Sequence, residues 1–155
     1  MKAATASAIF SLLAAGVCEA KQAHCLFRVH TEASANDGTV FTTQYRSSFS
    51  GRAVVLARMP AISERDVVAF QIYPAGAGTY GALLQLNDHG RLALDSLSIE
   101  RRGAFLFVFM NGRPITELQI DRRVSDGKIY IASGLTTNDI ALMKKDWRLA
   151  GPRKK

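Results

Sequence analysis

The sequence predicts an α+β domain, a mostly antiparallel sheet with two helices packed on one face. Three observations predict it. Residues 104–110, Ala-Phe-Leu-Phe-Val-Phe-Met, are apolar without interruption, and a strand with no polar side is buried on both faces. Asn111-Gly112 directly after it and Asp126-Gly127 further on are dipeptides that accept positive φ, as tight hairpin turns require. Apolar residues recur at helical spacing over residues 92–99 and 140–147, which gives two helices among many short strands. Burial of Phe105 to Met110 supplies on the order of 10 kcal/mol before chain entropy is counted, so the fold is expected to be built around that strand.

From the N-terminus, Met1-Lys2, an apolar run from Ile9 to Val17 and then Cys18-Glu19-Ala20 read as a secretory signal peptide cut near Ala20, leaving the protein periplasmic or secreted. The run is shorter than the roughly 20 residues a bilayer span requires. A lipid anchor on Cys18 is the alternative, although Val17 is bulkier than the small residue expected before a lipid-bearing cysteine. Residues 21–151 then form the single domain, and 152–155 a basic tail. Residues 24–31 alternate, with Phe27 and Val29 on one side and Arg28 and His30 on the other, so they open the sheet. Thr39 to Tyr45 and Val54 to Leu56 are further strands. Ser63-Glu64-Arg65-Asp66 has a helix-start pattern with room for one turn only, after which Val67 to Tyr73 and Tyr80 to Leu86 pair across the Gly-rich loop 74–79. Asn87 or Asp88 caps the first helix, whose apolar face is expected to be Leu92, Leu94, Leu97 and Ile99, and Gly103 ends it. After the central strand, Ile115, Leu118 and Ile120 alternate imperfectly, which predicts a bulged strand. Ile129 and Ile131 point inward from the next one. Thr136 or Thr137 caps the last helix, which carries Ile140, Met143 and Trp147 and ends at Gly151-Pro152.

The 155 residues are 48% hydrophobic and carry a formal charge of +7, ordinary for one globular domain but basic enough to favour acidic partners. An exported chain meets little nucleic acid, so that partner is not expected. Cleavage near Ala20 would leave Cys25 as the sole cysteine, which excludes an internal disulfide and suits a small buried hydrophobe. His24 and His30 could share a face of their strand, yet with His89 far away in a turn they make no metal site, and no cofactor is expected. His89 next to Asp88 lacks any accompanying nucleophile motif, and no carboxylate pair stands out, so the protein is not expected to be an enzyme. Among the cations, Arg101 and Arg102 and the Lys144, Lys145 and Arg148 group answer to helix C-termini. Arg113 with Arg122 and Arg123 has no such role and is the candidate binding group.

The turn and cap residues carry a further signal. Asn87-Asp88-His89-Gly90, Leu94, Leu97-Ser98, Gly103, Asn111-Gly112, Gly127, Ile131 and Leu135-Thr136 fall in an order that resembles the head subdomain of the first periplasmic domain of the SecD/SecDF protein-export family. The pattern runs from Leu86 to about Trp147 without a gap, and Val55-Leu56, Met59-Pro60, Ile62 and Asp66 to Ala69 resemble the family's upstream stretch. Leu94 stands where the family has Phe, Ser98 for Thr, Asn111 for Asp, Leu118 for Pro, Asp126 for a glycine, and Lys144 where a small apolar residue is usual. The resemblance implies a free-standing exported head module, without base subdomain or membrane bundle, that binds a protein partner or an unfolded exported chain. The alternative, from charge alone, is a secreted basic protein on an anionic surface of lipid, polysaccharide or acidic protein.

Overall fold

The computed structural model describes residues 23–34 and 36–151; the expected signal segment and the basic tail lie outside the described residues. The α+β class holds, with ten strands and two α-helices among the described residues and mostly antiparallel pairing. The strands are nevertheless divided among three sheets rather than gathered in one. The first sheet holds β1 (Phe27–Thr31), β4 (Ile62–Ser63), β7 (Phe105–Met110) and β8 (Arg113–Gln119) in the order β4-β1-β7-β8. The second holds β5 (Val67–Pro74), β6 (Tyr80–Leu86), β9 (Lys128–Leu135) and β10 (Arg148–Leu149) in the order β10-β5-β6-β9. The third is a two-stranded ribbon of β2 (Thr42–Arg46) and β3 (Ala53–Ala57).

The inward faces of both four-stranded sheets meet in one core. Phe27 and Val29 of β1 and Leu106, Val108 and Met110 of β7 pack with Phe70 of β5, Leu84 of β6 and Ile129 and Ile131 of β9. The helices α1 (Asp88–Glu100) and α2 (Thr137–Asp146) close it with Leu94, Ile140 and Met143. The uniformly apolar β7 sits inside its sheet, as its sequence demands, and its second face is covered by the ribbon. Tyr45 meets Phe107 and Phe109 edge-on with ring centroids 5.9 and 5.4 Å away, and the Arg52 guanidinium lies 5.1 Å over Phe105. The irregular register foreseen around Ile115 to Ile120 appears as a shift between Val108 and Phe109 in the β7–β8 pairing.

Two expectations fail for reasons of geometry. Leu92 and Ile99 are exposed instead of facing the core. Gly90, Leu94 and Ser98, spaced by four, are the buried residues of α1, and at about 100° per residue Leu92 and Ile99 fall on the opposite side. The last helix also stops at Asp146, well before Gly151. Trp147 leaves it in extended conformation to wedge edge-on between Phe27 and Phe70, 6.3 Å from each, and the chain continues as β10, parallel to β5.

Gly90 is fixed by packing: a Cβ there would lie 2.8 Å from Asp66 Cβ and 3.1 Å from Leu86 Cβ. Gly90→Ala is therefore expected to lower unfolding stability by about 1–3 kcal/mol in denaturant titration, despite the better helix propensity of alanine.

Candidate functional site

Strand alternation on β1 puts Phe27, Val29 and Thr31 into the interior and leaves Arg28 and His30 on the outer face. The antiparallel register sets Arg28 beside Phe109 and His30 beside Phe107, so a cation and an imidazole border the aromatic row of β7. The ribbon does not cover this row completely. Between ribbon and sheet runs a groove of about 340 Å³, floored by Leu26, Arg28, His30 and Phe109, walled by Thr43, Gln44, Tyr45 and Leu56, and ended by Gly112. Its surface is mainly apolar, with the Arg28 guanidinium, the His30 imidazole and the Tyr45 phenol as the ionisable groups that line it.

Both ends of the groove are tied down. His30 Nδ1 lies 2.8 Å from the Ala57 carbonyl oxygen, and its ring meets Phe109 edge-on at 5.5 Å, which joins floor to ribbon. At the other end Asn111 and Gly112 adopt φ of 50° and 78°, the paired left-handed conformation of a type I′ turn. The Asn111 amide donates to the Leu26 carbonyl, and the Leu26 amide donates to Asn111 Oδ1 at 2.9 Å. Asn111 Nδ2 in turn donates to Asp139 Oδ1 at 2.7 Å, while Arg113 pairs with Asp139 Oδ2. Asp139 is buried at the start of α2, where it completes a capping box with Thr136. Burial works to raise its pKa, but hydrogen bonds from Thr136 and Asn111 and the Arg113 charge outweigh that and hold the carboxyl below the usual range. One aspartate thus fixes both a helix start and the turn that closes the groove.

The residues singled out from sequence are placed as follows. Arg113 opens β8, which is about 20 Å long at strand rise, whereas Arg122 and Arg123 follow beyond its last residue, Gln119, so the three form no single patch. Arg113 is engaged by Asp139, and Arg123 donates twice to Asp95, at 2.6 and 2.8 Å. Arg122 is exposed. Asn87 is the α1 cap, accepting from the Gly90 amide at 2.9 Å. Gly103, Gly112 and Gly127 have positive φ, and Thr136 accepts from the Asp139 amide. His89 pairs with Asp66 rather than with its neighbour Asp88: Nδ1 lies 2.7 Å from Asp66 Oδ1, whose other oxygen accepts from the Ser63 amide. Cys25 is buried against Met110, 3.3 Å between sulfurs, and burial pushes its thiol up to about 12. His24 bonds Asp146, away from the Ala57 partner of His30.

The groove residues Arg28, His30, Tyr45 and Phe109 were not singled out as a site. Two signals pointed to them: the outward side of β1, and a β7 that needed a second cover over its phenylalanines.

Because the folded pKa of Asp139 lies below its unfolded value, its contribution is fully present above about pH 4 and is lost as pH falls through the folded value. Asp139→Asn is expected to lower stability at pH 7 by about 1–3 kcal/mol and to give a shallower loss than wild type on acidification below pH 4. Unfolding curves at successive pH values check both.

No protein-family model matches the chain, and no curated protein matches it by sequence. Solved structures share its fold, among them two of SecDF. One, a membrane component SecDF that enhances protein export, has TM-score 0.54 and 13% identity, the likeness covering 85% of this chain and 70% of that one. The other, SecDF in Super-membrane-facing form, has TM-score 0.54 and 16% identity over 83% of this chain, which spans about a fifth of that longer protein, 20%. Among the described residues no helix is long and apolar enough to cross a membrane. The structural similarity to SecDF periplasmic-domain structures runs over about 85% of the chain, so the resemblance carried by the turn and cap residues holds for the fold.

Proposed function

We propose that the protein is a non-catalytic binding module that works on the exported side of a membrane and accepts an extended, apolar segment of another polypeptide in the groove between ribbon and sheet. The groove is the observation that carries this reading. Its aromatic floor gains from apolar side chains wherever they come from, and its open length suits a chain with no fixed shape. Arg28 in the groove lining favours segments with a nearby carboxylate. The fold likeness to a component that enhances protein export supports an unfolded exported chain as the occupant. The basic group Arg113, Arg122 and Arg123 serves this reading less well, since two of the three are committed to Asp139 and Asp95.

A photoreactive residue at Gln44, exposed on the groove wall, should crosslink a reduced and carboxymethylated unfolded polypeptide several-fold more than the same residue at exposed Ala132 on β9. Tyr45→Ala should weaken binding of that polypeptide by about tenfold in fluorescence anisotropy. Equal crosslinking at both positions, or unchanged affinity of the Tyr45 variant, would refute the proposal.

A further inference from the structure

The ribbon has an outer surface that the groove does not use. Of the ten large hydrophobic side chains left exposed among the described residues, four stand on the ribbon and its turns: Val40 at 70%, Phe41 at 69%, Phe49 at 55% and Met59 at 80%. Between Gly38 and Pro60 the sequence has three arginines, Arg46, Arg52 and Arg58, and no aspartate or glutamate.

The two sets of residues are interleaved. Val40 and Phe41 sit in the turn that enters β2, and the Arg58 amide donates to the Phe41 carbonyl at 2.8 Å, which brings Met59 to the same end of the ribbon. The Arg58 guanidinium donates to the carbonyls of Thr39 and Thr42, so its charge rests beside that apolar cluster. At the other end Phe49 occupies the hairpin turn, and the Arg46 guanidinium reaches the Gly51 carbonyl at 3.1 Å. Each turn therefore projects apolar side chains with a cation next to them.

We infer that the ribbon is a docking surface for an anionic lipid bilayer, with Val40, Phe41 and Met59 entering the acyl boundary and Arg46 and Arg58 meeting phosphate headgroups. The apolar groups are convex and stand on turns, so a folded partner would need a matching cavity for each, whereas a bilayer interface deforms around them. Asp37 directly before the segment and Glu32 paired with Arg52 are the nearest carboxylates, so Arg46 and Arg58 leave the ribbon with an excess of positive charge toward an anionic leaflet. None of Val40, Phe41, Met59, Arg46 and Arg58 lines the groove, and the inference does not rest on the groove's occupant.

The test uses the full chain carrying Phe41→Trp. Trp147 is buried and supplies a constant background. Vesicles of phosphatidylcholine with phosphatidylglycerol should shift the emission of the introduced indole to the blue, and acyl-chain bromines should quench it; phosphatidylcholine alone should give a much smaller effect. Adding Met59→Ser should reduce partitioning by about tenfold, and Arg46→Gln with Arg58→Gln should abolish the preference for phosphatidylglycerol. Vesicle binding that leaves the introduced indole unshifted and unquenched would overturn the inference by placing the contact elsewhere. A shift that needs an added polypeptide rather than vesicles would overturn it in favour of a protein partner.

Discussion

A strand with large apolar side chains on both faces has to be sealed twice. In β7, Leu106, Val108 and Met110 are sealed by the common core of the two four-stranded sheets, and Phe105, Phe107 and Phe109 by the β2–β3 ribbon. The first seal is complete, since all three inner residues are buried. The second is partial: Phe107 is buried, while Phe105 and Phe109 remain half covered. The groove is a direct result of that inequality. A two-stranded ribbon is too narrow to cover what a third main sheet would, and Phe109 is left as a floor without a roof.

Two buried aspartates hold the elements around this arrangement in place, and they do so in the same way. Asp66 completes a capping box with Ser63 and reaches His89 on α1; Asp139 completes one with Thr136 and reaches Asn111 and Arg113 in the β7–β8 turn. In each case a carboxylate that a short helix would use alone also binds a second element distant in sequence. Both carboxyls are held below their ordinary pKa by these partners against the opposing effect of burial. Buried charge is tolerated here because every charge is hydrogen-bonded from at least two directions.

The sequence made the core strand, the Asn111-Gly112 hairpin and both helix caps legible, because each depends on local chemistry: an unbroken apolar run, a dipeptide that accepts positive φ, an Asn or Thr with a free side chain at a helix start. Asp126-Gly127 closes no hairpin, because the strands on either side of it, β8 and β9, belong to different sheets and pair with β7 and β6 instead. What it did not disclose depends on pairing over long range. Nothing local states that Val67 to Leu86 should build a second sheet with residues 128–135, nor that Trp147 should abandon its helix for a slot between Phe27 and Phe70. The buried face of α1 is not marked by apolar residues: it includes Gly90, where Asp66 and Leu86 leave no room for a Cβ, and Ser98, whose Oγ accepts from the Val124 amide, while the apolar Leu92 and Ile99 face outward. The groove was hidden for a related reason, since Tyr45 and Phe109 belong to segments 64 residues apart and meet only when the ribbon folds over the sheet.

The ribbon is attached differently from the rest of the protein, and that difference bears on function. It shares no extended ladder with either main sheet. Its ties to the body include a bridge between Glu32 and Leu56, the Ala33 amide on the Val55 carbonyl, His30 at the Ala57 carbonyl, the Arg52–Glu32 ion pair, the Arg52 guanidinium over Phe105 and the Tyr45 contacts with Phe107 and Phe109. Edge-on aromatic contacts tolerate sliding far better than a hydrogen-bonded ladder does. The ribbon is therefore held to the body by side-chain contacts and a few hydrogen bonds, whereas the two-sheet core is held by continuous ladders, and the energetics of the two layers differ accordingly. What the ribbon adds to the fold is a cover for β7 that leaves the ladders of both main sheets untouched, so the groove is set by the fit of one small layer against a core complete without it.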